Sequence, residues 1–374
     1  MNRTTFLFRG LVVFCVGLIF LMNGTRSREK NDVRPAWSLD LRTVGWVEPS
    51  SSSPIGFFST LAGISFPNES QVLMYFVLHQ TSVSLSVRDA PKPTDPFQLI
   101  AVLADSNTGR VIMQQAWPTT GNSTSLIKPL ESGGYVVVAH DKVMFLDASF
   151  QVLHASNLLI FGGTPLEGYS VYPARDGPLV VLQHAYQNTV ASQAIDTNTF
   201  QVVDRWDEDH LSSVAVSESV IVETNEQSRL LRVRKIGGTS FTIDLAALQG
   251  LSSPAFLSDR VIAVRSGNGL ACVDLLGRVL WKFDYAVKER LHILATSQNG
   301  QYIGAYLTDI RASFFDTFHS KSKVLIYDAN SQKISCAIRF LHEPKHHFAF
   351  ALSPNGRQLG VVMDEKVELY HLPN

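Results

Sequence analysis

One short stretch, LACVDLLGRVLWKFD at residues 270–284, returns in variant form along the chain and limits what that chain can become. An apolar run ends at Asp274, a tight turn carries Gly277, and a second apolar run follows from Val279 to Phe283. Variants begin at Asp105 (DSNTGRVIMQQAW) and surround Asp147 (LDASFQVLHA), Asp196 (IDTNTFQVVDRW) and Asp328 (IYDANSQKISCAIRF). The spacing is roughly 40 residues, a period typical of arrays in which each repeat is one small sheet. Each copy reads as the outer hairpin of such a sheet.

Apolar strand-like runs alternate with Gly, Asn and Asp turns, and no long amphipathic helix pattern intervenes, so the chain reads as all-β. The first unit begins near TLAGISF and carries an insertion from His79 to Gln98; the sixth carries one from Thr308 to Ser322. The last unit, FAFALSPNG, RQLGVVM and KVELYHL, has one strand fewer than the others. Near the N-terminus, AWSLDLRTVGWVE is a strand-like run with no hairpin partner, cut off by EPSSSSP. Pairing that run with the final strand completes the last sheet and closes the array, which removes the exposed edges of an open stack.

The SPNG turn at Ser353–Gly356, the SQNG turn at Ser297–Gly300 and the D-x-x-x-G-x-V hairpin from Asp105 resemble the WD40/YVTN-like β-propeller superfamily. The resemblance implies a seven-bladed β-propeller, closed by an N-terminal strand that completes the last blade. It is nearly silent on activity, since propellers host enzymes, scaffolds and receptors. The chain departs from true WD40 repeats: no Gly-His pair opens the blades, and Trp206-Asp207 follows a fourth strand rather than a third.

The N-terminus differs in kind. Arg3 and Arg9 precede GLVVFCVGLIFLM, which gives way to the polar NGTRSREKND. Positive start, short apolar middle and polar exit are the parts of an export signal, although no A-x-A cleavage pattern follows. The run of about thirteen residues falls short of the roughly 20 that a bilayer-spanning helix needs. The expected organisation is a signal peptide or uncleaved membrane anchor over 1–24, with a tether through 6–22 in the second case. A linker over 25–36 and the propeller over 37–374 follow. The expected location is periplasmic or extracellular. Lys and Arg number 32 against 33 Asp and Glu, so no field favours nucleic acid. Beyond the signal only Cys272 and Cys336 remain, and they read as buried free thiols, leaving stability to the core.

Few patterns carry chemistry. His342-Glu343-Pro344-Lys345-His346 matches H-E-x-x-H, but Pro344 would break the helix that puts both histidines on one face. GRVLWKFD resembles the repeat of quinone-cofactor propeller dehydrogenases and of a related outer-membrane assembly propeller, but only this copy keeps its Trp, Trp281. Trp281 therefore reads as a wedge between blades. The aspartates Asp105, Asp147, Asp196, Asp274 and Asp328 recur once per hairpin and read as turn acceptors rather than a catalytic set.

No catalytic, cofactor-binding or metal-binding residue is assigned. The family's strand order places both insertions and the HEPKHH segment on one face of neighbouring blades. Phe314, Phe315, Phe318, His342, His346 and His347 are thus the candidate partner-binding patch. The expected function is non-catalytic binding, by a monomeric domain, of a protein, peptide or glycan. The alternative is a lactonase or other hydrolase with polar residues at the central channel. First-strand segments such as SVAVS, PAFLSD and AFALSP offer mainly small or apolar side chains there.

Overall fold

The computed structural model describes residues 33–46, 55–82, 97–119, 125–139, 142–157, 168–186, 189–208, 213–224, 229–248, 250–309, 321–340, 344 and 348–373, with side chains described from 63 to 78 within the second of these. They form seven four-stranded antiparallel sheets. Blades 1 to 6 cover 55–119, 126–157, 168–208, 213–244, 251–284 and 289–339. Blade 7 comprises 348–371 and the N-terminal strand Trp37–Asp40, which pairs with Lys366–His371. The first strand of each blade lies innermost, beside the first strands of its neighbours, and Ile55–Asn68 of blade 1 meets Phe348–Leu352 of blade 7, so the ring is closed.

The near-continuous apolar strands follow from this arrangement, because each sheet is buried on both faces. In blade 5, Ile262, Val264, Ala271 and Val273 face blade 4, whereas Ala263, Leu270 and Cys272 face blade 6. Seven apolar clusters result, one at each junction between blades. The tryptophans act as wedges. Trp117 meets Phe150 of blade 2 edge-on at 5.7 Å, and half-buried Trp281 packs into the blade 5–6 cluster, 6.5 Å from Tyr327. Cys272 and Cys336 are buried and unbridged.

The repeated aspartates are structural. Asp274 Oδ1 accepts from Leu276 N at 3.0 Å and Arg278 N at 2.8 Å. Asp105, Asp147, Asp196 and Asp328 receive backbone N–H groups of their own turns in the same way. A carboxylate that occupies these donors lets the chain reverse without orphaned amides.

Three boundaries differ from the sequence reading. AWSLDLRTVGWVE is not one strand: Trp37–Asp40 is followed by a 3-10 turn over Leu41–Val44. Asp40 caps that turn by accepting from Arg42 N at 2.9 Å, and Gly45 leaves it at φ +101°. The turn drops Leu41, Val44 and Trp46 into the blade 7–1 junction. In blade 1, Ile55–Asn68 and Gln71–Ser82 pair out to Ile55↔Ser82, so the insertion shrinks to 83–96. In blade 6 the pairing Asp309↔Lys321 likewise narrows the insertion to 310–320. Hairpin ladders run on past the core because each added pair satisfies backbone groups at the sheet's edge.

Candidate functional site

The sequence-predicted patch, Phe314, Phe315, Phe318, His342, His346 and His347, lies outside the described residues. Its supports are described. Antiparallel alternation brings the end of each second strand, the start of the third and the end of the fourth to the same edge of a blade. The 310–320 connection leaves from Asp309, and the 341–347 connection runs from Phe340 to Phe348. Tyr306 stacks on Phe348 at 3.7 Å, and Phe340 meets Phe348 edge-on at 5.5 Å. Both connections therefore spring from one aromatic platform. His292 joins it, 5.7 Å from Tyr306, with Nε2 2.8 Å from Thr308 Oγ1. Burial, then the charges of Arg290 and Arg265, hold its imidazole below the usual histidine range. Pro344, the described residue of the H-E-x-x-H match, belongs to no helix.

The opposite mouth of the channel carries charge that SVAVS, PAFLSD and AFALSP did not announce. The turns between first and second strands converge on a cavity of about 540 Å³. Its wall is largely small or apolar, with Ala174, Ala295, Ala349, Ala351, Leu130 and Ile293, as the sequence predicts. Lys128, Glu131, Arg175 and Gln298 add polar groups to it. A neighbouring cavity of about 290 Å³ shares Lys128, Arg175 and Thr296.

Hydrogen bonds cross this mouth. Arg175 of blade 3 donates Nε–H to the carbonyl of Gln298 on blade 6 at 2.8 Å, and Gln298 donates its amide to the Glu131 carboxylate of blade 2. Burial and the nearby charge of Asp176 push the Glu131 carboxyl above its ordinary value, against the Gln298 hydrogen bond and the Arg175 charge. Asp176 accepts from Glu218 N at 3.1 Å. Sequence reading missed this group because its members belong to the first strand of blade 2 and to turns of blades 2, 3 and 6. The available signal was the interruption of the apolar pattern by Lys128 in LIKP and by Arg175 in PARDG.

A third polar cluster bridges blades 3 and 4. Trp206 Nε1–H donates to Glu223 Oε1 at 2.7 Å, Arg234 lies 4.6 Å over the Trp206 ring, and Glu208 pairs with Arg232. Burial, followed by the charge and hydrogen bonding of Glu208, raises Glu223 from 4.5 to about 7. The unfolded chain ionises this group near 4.5 and the folded chain only near 7. The folded state is thus penalised as pH climbs through that window and bears the full penalty above it. Glu223→Gln keeps the acceptor for Trp206 and offers Glu208 a donor. It is expected to stabilise the protein by about 2 kcal/mol at pH 8 and by little at pH 4.5, as read by denaturant unfolding at the two pH values.

No family model and no curated protein sequence matches the chain. Solved structures match its fold. A chain of the Mitotic Checkpoint Complex superposes with a TM-score of 0.57 at 12% identity, over 93% of this chain and 94% of that one. The WD40 β-propeller domain of Doa1 gives 0.53 at 12% identity, over 92% and 99%. Hsv2 of Kluyveromyces lactis gives 0.51 at 10% identity, over 81% and 90%. Identity this low speaks for fold alone. By fold, then, the chain is a seven-bladed β-propeller of the kind found in WD40 domains, closed by its own N-terminal strand.

Proposed function

We propose that the chain is a non-catalytic binding module, exported by its N-terminal segment, that captures a protein or peptide on the face bearing the 310–320 and 341–347 connections. The observation that carries this reading is the shared Tyr306–Phe348–Phe340 platform from which both connections rise. It supports their side-by-side placement, and the sequence of the first, with Phe314, Phe315 and Phe318 among charges, has the composition of a contact patch. Aromatic anchors ringed by charge suit a peptide or protein surface better than a glycan of hydroxyls alone. The likeness to a chain of the Mitotic Checkpoint Complex, a multi-protein assembly by its name, agrees with this class of role.

The test is to replace Phe314 and Phe318 by Ser together and compare proteins captured from an extract with those held by the unaltered chain. The expected result is loss of a specific partner with an unchanged melting temperature. Equal capture by both proteins would remove the patch as the binding surface.

A further inference from the structure

The two cavities at the turn-lined mouth of the channel share a pair of cationic side chains with unused donors. The Lys128 side chain forms no hydrogen bond or ion pair among the described residues, although it lines both spaces. Arg175 spends its Nε on the Gln298 carbonyl, while its Nη1 is shut off from solvent without an acceptor. The guanidinium charge is thus held in the wall of both cavities by one hydrogen bond and forms no ion pair among the described residues. The same two residues line both cavities, so a group bound there lies in the field of both cations.

We infer that this mouth is a second ligand site, separate from the patch on the opposite face, and that it takes a carboxylate carried on a slender peptide chain between Lys128 and Arg175. Three features favour a carboxylate over a more highly charged anion. Glu131 and Asp176 stand at the same mouth, and each would repel a dianion such as phosphate more strongly than a monoanion. A carboxylate's single charge matches what the Lys128 ammonium, without a side-chain partner among the described residues, can offset. The walls of Ala174, Ala295, Ala349 and Ala351 leave room for an extended chain and give it apolar contact. Such a carboxylate comes either from an Asp or Glu side chain or from a free C-terminus.

The experiment titrates the full chain with three synthetic peptides followed by ligand-observed NMR. These are acetyl-Ala-Gly-Asp-Gly-Ala-amide, acetyl-Ala-Gly-Ala-Gly as the free acid, and the same tetrapeptide as its amide; inorganic phosphate is a fourth probe. Binding of the Asp peptide alone assigns the site to an acidic side chain, and binding of the free acid alone assigns it to a C-terminus. Binding of both supports the shared chemistry. Lys128→Met is expected to weaken whichever peptide binds by about tenfold or more, while Lys128→Arg restores most of the affinity. Because Lys128 has no described partner, neither variant should alter thermal unfolding. The proposal is overturned if neither carboxylate peptide binds, if the amide binds as well as the acids, if phosphate outcompetes them, or if Lys128→Met leaves affinity unchanged.

Discussion

Removal of residues 1–46 is expected to abolish cooperative folding of the remaining chain. The deleted part supplies the fourth strand of blade 7, paired from Trp37↔Leu369 to Asp40↔Lys366. It also closes the seam with blade 1. Trp37 donates its indole N–H to the carbonyl of Ser106 at 2.8 Å, and Gln114 donates to the carbonyl of Val44 at 3.1 Å. Leu41, Val44 and Trp46 are buried against Phe76, Ile100, Val367 and Leu369, and Trp46 meets Phe76 edge-on at 5.4 Å. At about 1.5–3 kcal/mol for each large buried side chain, the loss approaches the 5–15 kcal/mol of net stability typical of a whole domain. It also bares an edge strand, Lys366–His371, to other chains. Circular dichroism melts and size exclusion should show a broad, early transition and aggregates. The single change Trp46→Ala, which removes only the wedge, should cost about 3–5 kcal/mol.

Gly300→Ala should be nearly as damaging, though it deletes nothing. Gly300 sits in the SQNG turn of blade 6 at φ +70°, where an L side chain is strained by about 1–2 kcal/mol. A Cβ built there would lie 1.7 Å from the carbonyl oxygen of Leu257 in blade 5, so backbone must move. The turn also holds Gln298, whose carbonyl receives Arg175 and whose amide reaches Glu131 across the channel. Displacing it removes those cross-channel bonds together. The expected loss is about 3–5 kcal/mol in urea unfolding, in the range of the larger single-site effects. A variant that unfolds within about 1 kcal/mol of the parent would show that blades 5 and 6 do not meet as tightly here as the structure has them.

These two variants mark where the chain was legible before its structure. The repeat of Asp-led hairpins, the missing strand of the last blade and the solitary run near Trp37 are local patterns, and each reports a sheet edge or a turn within a few residues. Closure could be read because a one-strand deficit at one end matched a one-strand surplus at the other. The dip of Leu41–Val44 into the blade 7–1 junction could not, since one 3-10 turn leaves only a single three-residue step between buried positions, too short to show as a period. The channel mouth was hidden for a different reason. Lys128, Glu131, Arg175 and Gln298 come from blades 2, 3 and 6, and only the curvature of the ring brings them together. Glu223 was equally invisible: its strand, VIVET, reads as an ordinary apolar strand with a polar end. The carboxylate becomes consequential only against Trp206 and Glu208 of the neighbouring blade.

Ring closure by the N-terminal strand has a direct chemical test. The pairing puts Ser38 opposite Glu368, and Leu41 N donates to Glu365 O at 2.7 Å. Alternation along an antiparallel ladder then makes Ser38 and Glu368 a non-hydrogen-bonded pair, whose side chains approach most closely. In the double variant Ser38→Cys, Glu368→Cys, the two thiols should form an intramolecular disulfide under mild oxidation, since Cβ atoms so placed suit the bond. Intact-mass spectrometry after thiol alkylation would count the loss of two reactive groups, and peptide mapping would link 38 to 368. Quantitative bridging with a raised melting temperature is the outcome expected of a ring locked by its own terminus; free thiols, or bridges only between separate molecules, would contradict it.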